Sequence, residues 1–127
     1  MPEHDAFEYA IFRLVPHVER EEFLNVGVMV LCRARKFFEA RVCVDAARLA
    51  ALAPGFDARE VQTHLDALTE IIAGGERAGE LANLSAAERF RWLASPRSTV
   101  IQVSPVHGGL TDDPRAELEK LFNEMVR

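Results

Sequence analysis

Residues 13–30, RLVPHVEREEFLNVGVMV, decide how the rest of the chain is read. The stretch leaves an extended segment at Pro16, crosses a charged turn, and re-enters an apolar run through Asn25 and Gly27. Upstream, FEYAIFRLV (7–15) is rich in aromatic and β-branched residues and ends at a proline with no N–H to give a ladder, so it reads as a strand. Phe7, Tyr9, Ile11, Arg13 and Val15 share one face; Glu8, Ala10, Phe12 and Leu14 share the other. Both faces are largely apolar, which predicts a central strand covered on part of each side. HVEREEFL (17–24) is too short for an independent helix and reads as a helical turn anchored by Phe23 and Leu24. NVGVMVLC (25–32) is short and valine-rich, as a buried strand is, and Gly27 within it signals a bulge or the close approach of another group.

Working outward, RARK (33–36) is a turn, and FFEARVCV (37–44) alternates, so the pair forms a hairpin. With Cys32 near Phe37, Cys43 falls near Val26, which keeps the two cysteines farther apart than the roughly 7 Å a bridge tolerates. The middle of the chain is helical. Residues 45–52 form a short alanine-rich helix stopped by Pro54-Gly55. Asp57 and Glu60 open the next, with Val61, Leu65, Leu68 and Ile72 as its apolar stripe and Gly74-Gly75 as its end. Ser85 and Glu88 form a capping box before a helix reaching about residue 94, with Phe90 and Leu93 inward and Trp92 partly so. TVIQV (99–103) is a strand, SPVHGGLTDDP (104–114) a turn-rich loop, and Asp113-Pro114 the start of a last helix with Leu118, Leu121, Phe122 and Met125 on its apolar face. The hairpin forces an antiparallel component. The fold class is α+β: a single, mostly antiparallel sheet of about four strands with helices packed on it, all in one domain, 1–127.

A hydrophobic fraction of 49% with 28% charged residues is ordinary for a globular protein. The net charge of −5 argues against a nucleic-acid-coating surface. The two cysteines read as reduced thiols. No stretch approaches the ~18 apolar residues of a membrane span, and the N-terminal residues lack the pattern of a secretory signal. The expected compartment is the cytoplasm, without a membrane.

Motifs for phosphate loops, dinucleotide binding, zinc helices and CxxC chemistry are absent, and His4, His17, His64 and His107 are scattered, so no metal or cofactor and no catalytic residue is assigned. Glu19, Glu21 and Glu22 beside Arg20 read as a solvated charged turn rather than an acid–base pair. The polar residues near strand ends are the candidate binding set: Arg13, Glu21, Glu22, Asn25, Arg97, Ser98, Gln102, Ser104, His107 and Thr111. Arg13 lies on an otherwise apolar face and needs a partner. The plain expectation is an ion pair with Glu21 or Glu22. The functional alternative is an anion site of Arg13 and Arg97 with Ser98 and the 104–111 loop, since arginine offers a fork matched to phosphate or carboxylate. Gly108-Gly109 would suit an anion nest, but Asp112 and Asp113 oppose an anion there, and a simple chain reversal explains them equally. Arg89, Arg91 and Arg97 with Phe90 and Trp92 sketch a small basic–aromatic patch; aromatics at helical spacing are more often core, so nucleic acid is not the expected partner.

Phe7-Glu8-Tyr9-Ala10, Arg13-x-Val15-Pro16, the run from Glu19 to Val28, and the segment from Ser104 to Pro114 together resemble a bacterial family known as DUF3037, a domain of unknown function. The resemblance runs from the first strand to the last helix; residues 45–84 carry no matching motif. It implies no reaction. It does imply a context, because similar proteins are often encoded beside a HipA-like kinase. The leading expectation is a small non-catalytic accessory or binding domain acting through a protein partner, with a HipA-like kinase as the candidate. The alternative is a phosphate- or nucleotide-processing enzyme, or a nucleic-acid-binding domain, using an Arg-lined polar site. A homodimer through an exposed sheet edge or the last helix is compatible with either.

Overall fold

The computed structural model describes residues 4–95 and 100–127. β1 (Asp5–Leu14) is central because both its faces and both its edges are engaged. β2 (Leu24–Cys32) pairs with it along one edge, and β3 (Phe37–Val42) pairs with β2, with Cys32 opposite Phe37 and the Cys43 N–H donating to the Val26 carbonyl as the hairpin register predicts. Both thiols are free, Cys32 buried and Cys43 exposed. α1 (Ala46–Leu52), α2 (Ala58–Ala73) and α3 (Ala86–Ala94) follow before the chain returns as β4 (Ile101–Val103), β5 (His107–Thr111) and α4 (Pro114–Met125). All strand pairs are antiparallel, in the order β3-β2-β1-β4, with β5 also on β1.

The expected alternation of β1 builds a layer on each side of the sheet. Ala10, Phe12 and Leu14 join Val26, Met29, Leu31 and Phe38 under α1, α2 and α3, through Leu49, Val61, Leu65, Ile72, Phe90 and Leu93. Phe7 and Ile11 join Val28, Val30 and Cys32 under α4, through Leu118, Leu121 and Phe122. Met125, expected inward, is exposed. Two charged clasps hold α4 to the β3 edge: Arg115 grips Glu39 with both terminal nitrogens, at 3.1 and 2.6 Å, and Arg41 pairs with Glu119. The hydrogen bonds to Glu39 hold the Arg115 guanidinium above its ordinary pKa.

The helix signals hold. Ser85 and Glu88 form the capping box in both directions, the Asp113 side chain accepts from the Ala116 N–H, and Gly74 ends α2 at φ 72°. Asp57 caps α2 by accepting from the Arg59 N–H, but the capping box expected with Glu60 does not form. The Arg89 side chain closes the other end of α2, donating to the carbonyls of Ile72 and Leu84. Residues Glu76–Asn83, for which no element is predicted, form a 3-10 stretch kinked at Gly79.

Two further predictions are corrected. Phe23 does not anchor the 17–24 turn in the core; it is 45% exposed, and only the residues Val18–Arg20 are helical, as one 3-10 turn. The 104–114 segment is not a loop throughout, since His107–Thr111 is the fifth strand. β4 and β5 are two halves of one edge strand along β1, the first opposite Phe12–Leu14 and the second opposite Asp5–Tyr9. Between them β1 contributes Ala10 and Ile11, while the edge chain contributes Ser104, Pro105 and Val106, which makes a bulge. Ser104 closes the gap: its N–H donates to the Ile11 carbonyl at 2.8 Å, and its Oγ accepts from the Ile11 N–H at 2.8 Å. The adjacent Pro105 has no N–H to give.

Candidate functional site

A second bulge sets the geometry at the other edge of β1. Phe12 pairs with Gly27, but Arg13 pairs with Asn25, so Val26 is the extra residue. The bulge brings Asn25 onto the face of Arg13, where unbroken register would have put Val26. It depends on Gly27, because a Cβ there would lie 2.8 Å from Val42 Cγ1 and 3.0 Å from both the Arg41 carbonyl oxygen and Phe12 Cδ2. Across β1, Gln102 pairs with Arg13. Asn25, Arg13 and Gln102 therefore form a polar row over three strands, at the end of the sheet face that carries α4.

Within this row Asn25 is structural. Its Nδ2 donates to the Met125 carbonyl at 3.0 Å, and Arg48 donates to the Val126 carbonyl at 2.9 Å, so the two side chains satisfy the last carbonyls of α4. Arg13 does not make the expected ion pair. Glu22 pairs with Arg20, Glu21 is exposed at φ 57°, and no carboxylate among the described residues pairs with Arg13. Its guanidinium lies over the Phe23 ring, 4.2 Å from the centroid. Arg13 Nε and Asn25 Oδ1 are both buried without a hydrogen-bond partner among the described residues.

The other candidates among the described residues do not converge on Arg13. His107 is opposite Tyr9, with ring centroids 5.3 Å apart, four residues along β1 from Arg13 and hence about 13 Å away at the strand rise. Thr111 is opposite Asp5, roughly 27 Å away, and its Oγ1 accepts from the Asp113 N–H at the entry to α4. Ser104 belongs to the bulge. Arg97 and Ser98 lie outside the described residues, as does any site they share with Arg13. The glycine pair forms no nest: Gly108 and Gly109 are extended in β5, and the Asp112 carbonyl accepts from Arg35, which also binds Asp5 at 2.8 Å. That Asp5 hydrogen bond raises the pKa of Arg35. Of the suggested basic–aromatic patch, Phe90 is core and Arg89 caps α2.

The residue missed in the sequence is Phe23 as the partner of Arg13. An apolar side chain next to a charged turn carries no spacing signal that separates a core anchor from a platform for a cation. A mostly apolar cavity of about 500 Å³ lies on the opposite face, lined by Leu68, Leu93, Ile101 and Val103, with His64 and Ser95 among its polar residues. Among the described residues no group of three His, Cys, Asp or Glu side chains is placed to hold a metal ion, and no helix is long and apolar enough to cross a membrane.

These features define an α+β domain whose central strand is bulged on both edges and whose candidate polar row is centred on an arginine stacked on an exposed aromatic ring. The chain belongs to the family described as "Protein of unknown function (DUF3037)", whose model matches residues 9–126. Comparison with curated proteins and with solved structures found no match.

Proposed function

We propose that this chain is a small non-catalytic accessory domain that acts through a protein partner docked at the Arg13–Phe23 end of the sheet. The observation that carries this reading is the Arg13 guanidinium, stacked on a half-exposed Phe23 ring and paired with no carboxylate of the described residues. Arginine and aromatic side chains are enriched where interfaces concentrate binding energy. Val18, in the same loop as Phe23, is exposed, and so are Val100, whose carbonyl accepts from Val15, and Met125, whose carbonyl accepts from Asn25. A matching partner presents an acidic side chain to Arg13 and apolar side chains around it. Three of the other polar candidates, Asn25, Ser104 and Thr111, complete the backbone bonding of the fold.

A HipA-like kinase is the first partner to assay, on the gene context that the family resemblance implies. A cytoplasmic location in a bacterium fits the two free thiols. The test is affinity purification of the tagged chain from its host, with mass spectrometry of what accompanies it. A near-stoichiometric protein partner is the expected result; recovery of the chain alone contradicts the reading.

A second reading rests on the same arginine. A fork beside Asn25 and Gln102 suits phosphate or carboxylate, as a phosphate- or nucleotide-processing enzyme requires. A nucleotide at 100 times its dissociation constant would stabilise the chain by about 2.7 kcal/mol. An unchanged melting temperature across a nucleotide and phosphate series removes that reading.

A further inference from the structure

The two edges of the sheet are built differently. At the β3 edge, Glu39 and Arg41 are charged and clasped to α4. At the other edge, residues 100–111 contain no Asp, Glu, Lys or Arg, in a chain that is 28% charged. Val106 and Leu110 on that edge are 41% and 67% exposed. Edge strands are ordinarily guarded by charge, proline or a covering element, because their unpaired backbone groups invite another strand. Here Pro105 is the guard, and it sits in the bulge.

We propose that β5 pairs antiparallel with β5 of a second copy of this chain, across a two-fold axis at Gly108. The register follows from symmetry. Two edges related by an axis normal to the sheet keep the same side up, so the numbers of paired residues sum to a constant even value. Centring on Gly108 sets Val106 against the second copy's Leu110, on the side of the sheet where Ala6 and Glu8 of β1 are exposed. Centring on Gly109 would instead set Val106 against the carboxylate of the second copy's Asp112. Pro105 has no N–H, so the ladder is confined to residues 106–110.

On the α4 side of the sheet, His107 meets the second copy's Gly109. The Phe7 ring crosses that glycine, with its Cε1 2.8 Å from where a Cβ would stand. The Tyr9–His107 ring pair thus continues onto the second copy's Phe7. The same five residues supply both halves of the match, and none carries a charge that calls for a complementary partner. This interface lies along the half of β1 away from Arg13 and Phe23, so it stands or falls separately from the proposed partner site.

The experiment is light scattering and sedimentation of the full chain over a concentration series. It is paired with mild oxidation of Gly108→Cys and of Val106→Cys, each in a Cys43→Ser background. Gly108 accepts a side chain, since a Cβ there meets only the Phe7 carbonyl oxygen at 3.4 Å. Cross-strand Cα separations of about 4.5–5.5 Å suit a disulfide. The expected results are a concentration-dependent doubling of mass, its loss in Leu110→Lys with the circular dichroism of a folded chain unchanged, and rapid cross-linking of Gly108→Cys but not of Val106→Cys. A monomer at every concentration overturns the proposal, including one whose edge takes up a strand of another protein. Cross-linking of Val106→Cys as fast as that of Gly108→Cys overturns the register and with it the axis.

Discussion

Gly27 and Ser104 keep β1 paired through its two irregularities. Gly27→Ala drives a methyl group against the Arg41 carbonyl and the side chains of Val42 and Phe12. Over-packing of this kind costs about 1–3 kcal/mol. Urea unfolding should show the midpoint fall by that cost divided by the slope, with the slope itself unchanged; a wild-type midpoint would mean that the hairpin shifts freely to make room. Ser104→Ala removes the acceptor of the Ile11 N–H, at a position where both residues are buried. An unmet buried donor costs about 1–3 kcal/mol, read in the same way. Gly27 was legible in the sequence as a glycine inside an apolar strand. Ser104 was legible only as a polar residue near a strand end. Its role depends on Ile11, 93 residues away in the chain, and no local pattern reports such a pairing.

At the scale of elements, the helix starts were the most legible features, because a cap is a local contract between residues three apart. Ser85 and Glu88 show this and carry a pH dependence. The backbone N–H and then the hydroxyl of Ser85 hold the Glu88 carboxyl below its ordinary pKa. A lowered folded-state value means that this contribution is complete above the unfolded value of about 4.3 and is lost as pH falls through the folded one. The pH dependence is read in Glu88→Gln, which keeps a side-chain acceptor for the Ser85 N–H but not the charge: its gap from wild type should narrow on acidification below pH ~4, and a gap that is constant with pH contradicts the assignment. Separately, Ser85→Ala removes the side-chain acceptor of the Glu88 N–H and should destabilise the chain by about 0.5–2 kcal/mol at neutral pH. β5 was illegible for the opposite reason. Two adjacent glycines and a nearby proline are loop signals, and what makes HGGLT a strand is non-local: pairing with Asp5–Tyr9 and the Phe7 ring lying over Gly109. The alternation that would have exposed it is broken by the bulge at Ser104.

For the whole molecule, the class of fold followed from the hairpin and the helix count, whereas the site did not follow from its residue types. The candidate set mixed residues that share a face at one end of β1 with residues strung along its neighbour. Only strand register separates Gln102, beside Arg13, from His107 and Thr111. The expected Arg13–Glu pair failed because Arg20 lies within the same turn and takes Glu22, leaving Arg13 to the ring of Phe23. That ring-stacked guanidinium, with no carboxylate partner among the described residues, is the centre of the functional account. The most direct measurement is parallel affinity purification of the wild-type chain and Arg13→Glu from the host, with melting temperatures recorded for both. The account predicts a near-stoichiometric protein partner on the wild type, lost on Arg13→Glu at an unchanged melting temperature. A partner retained equally by the variant, or a wild-type chain recovered alone, would contradict it.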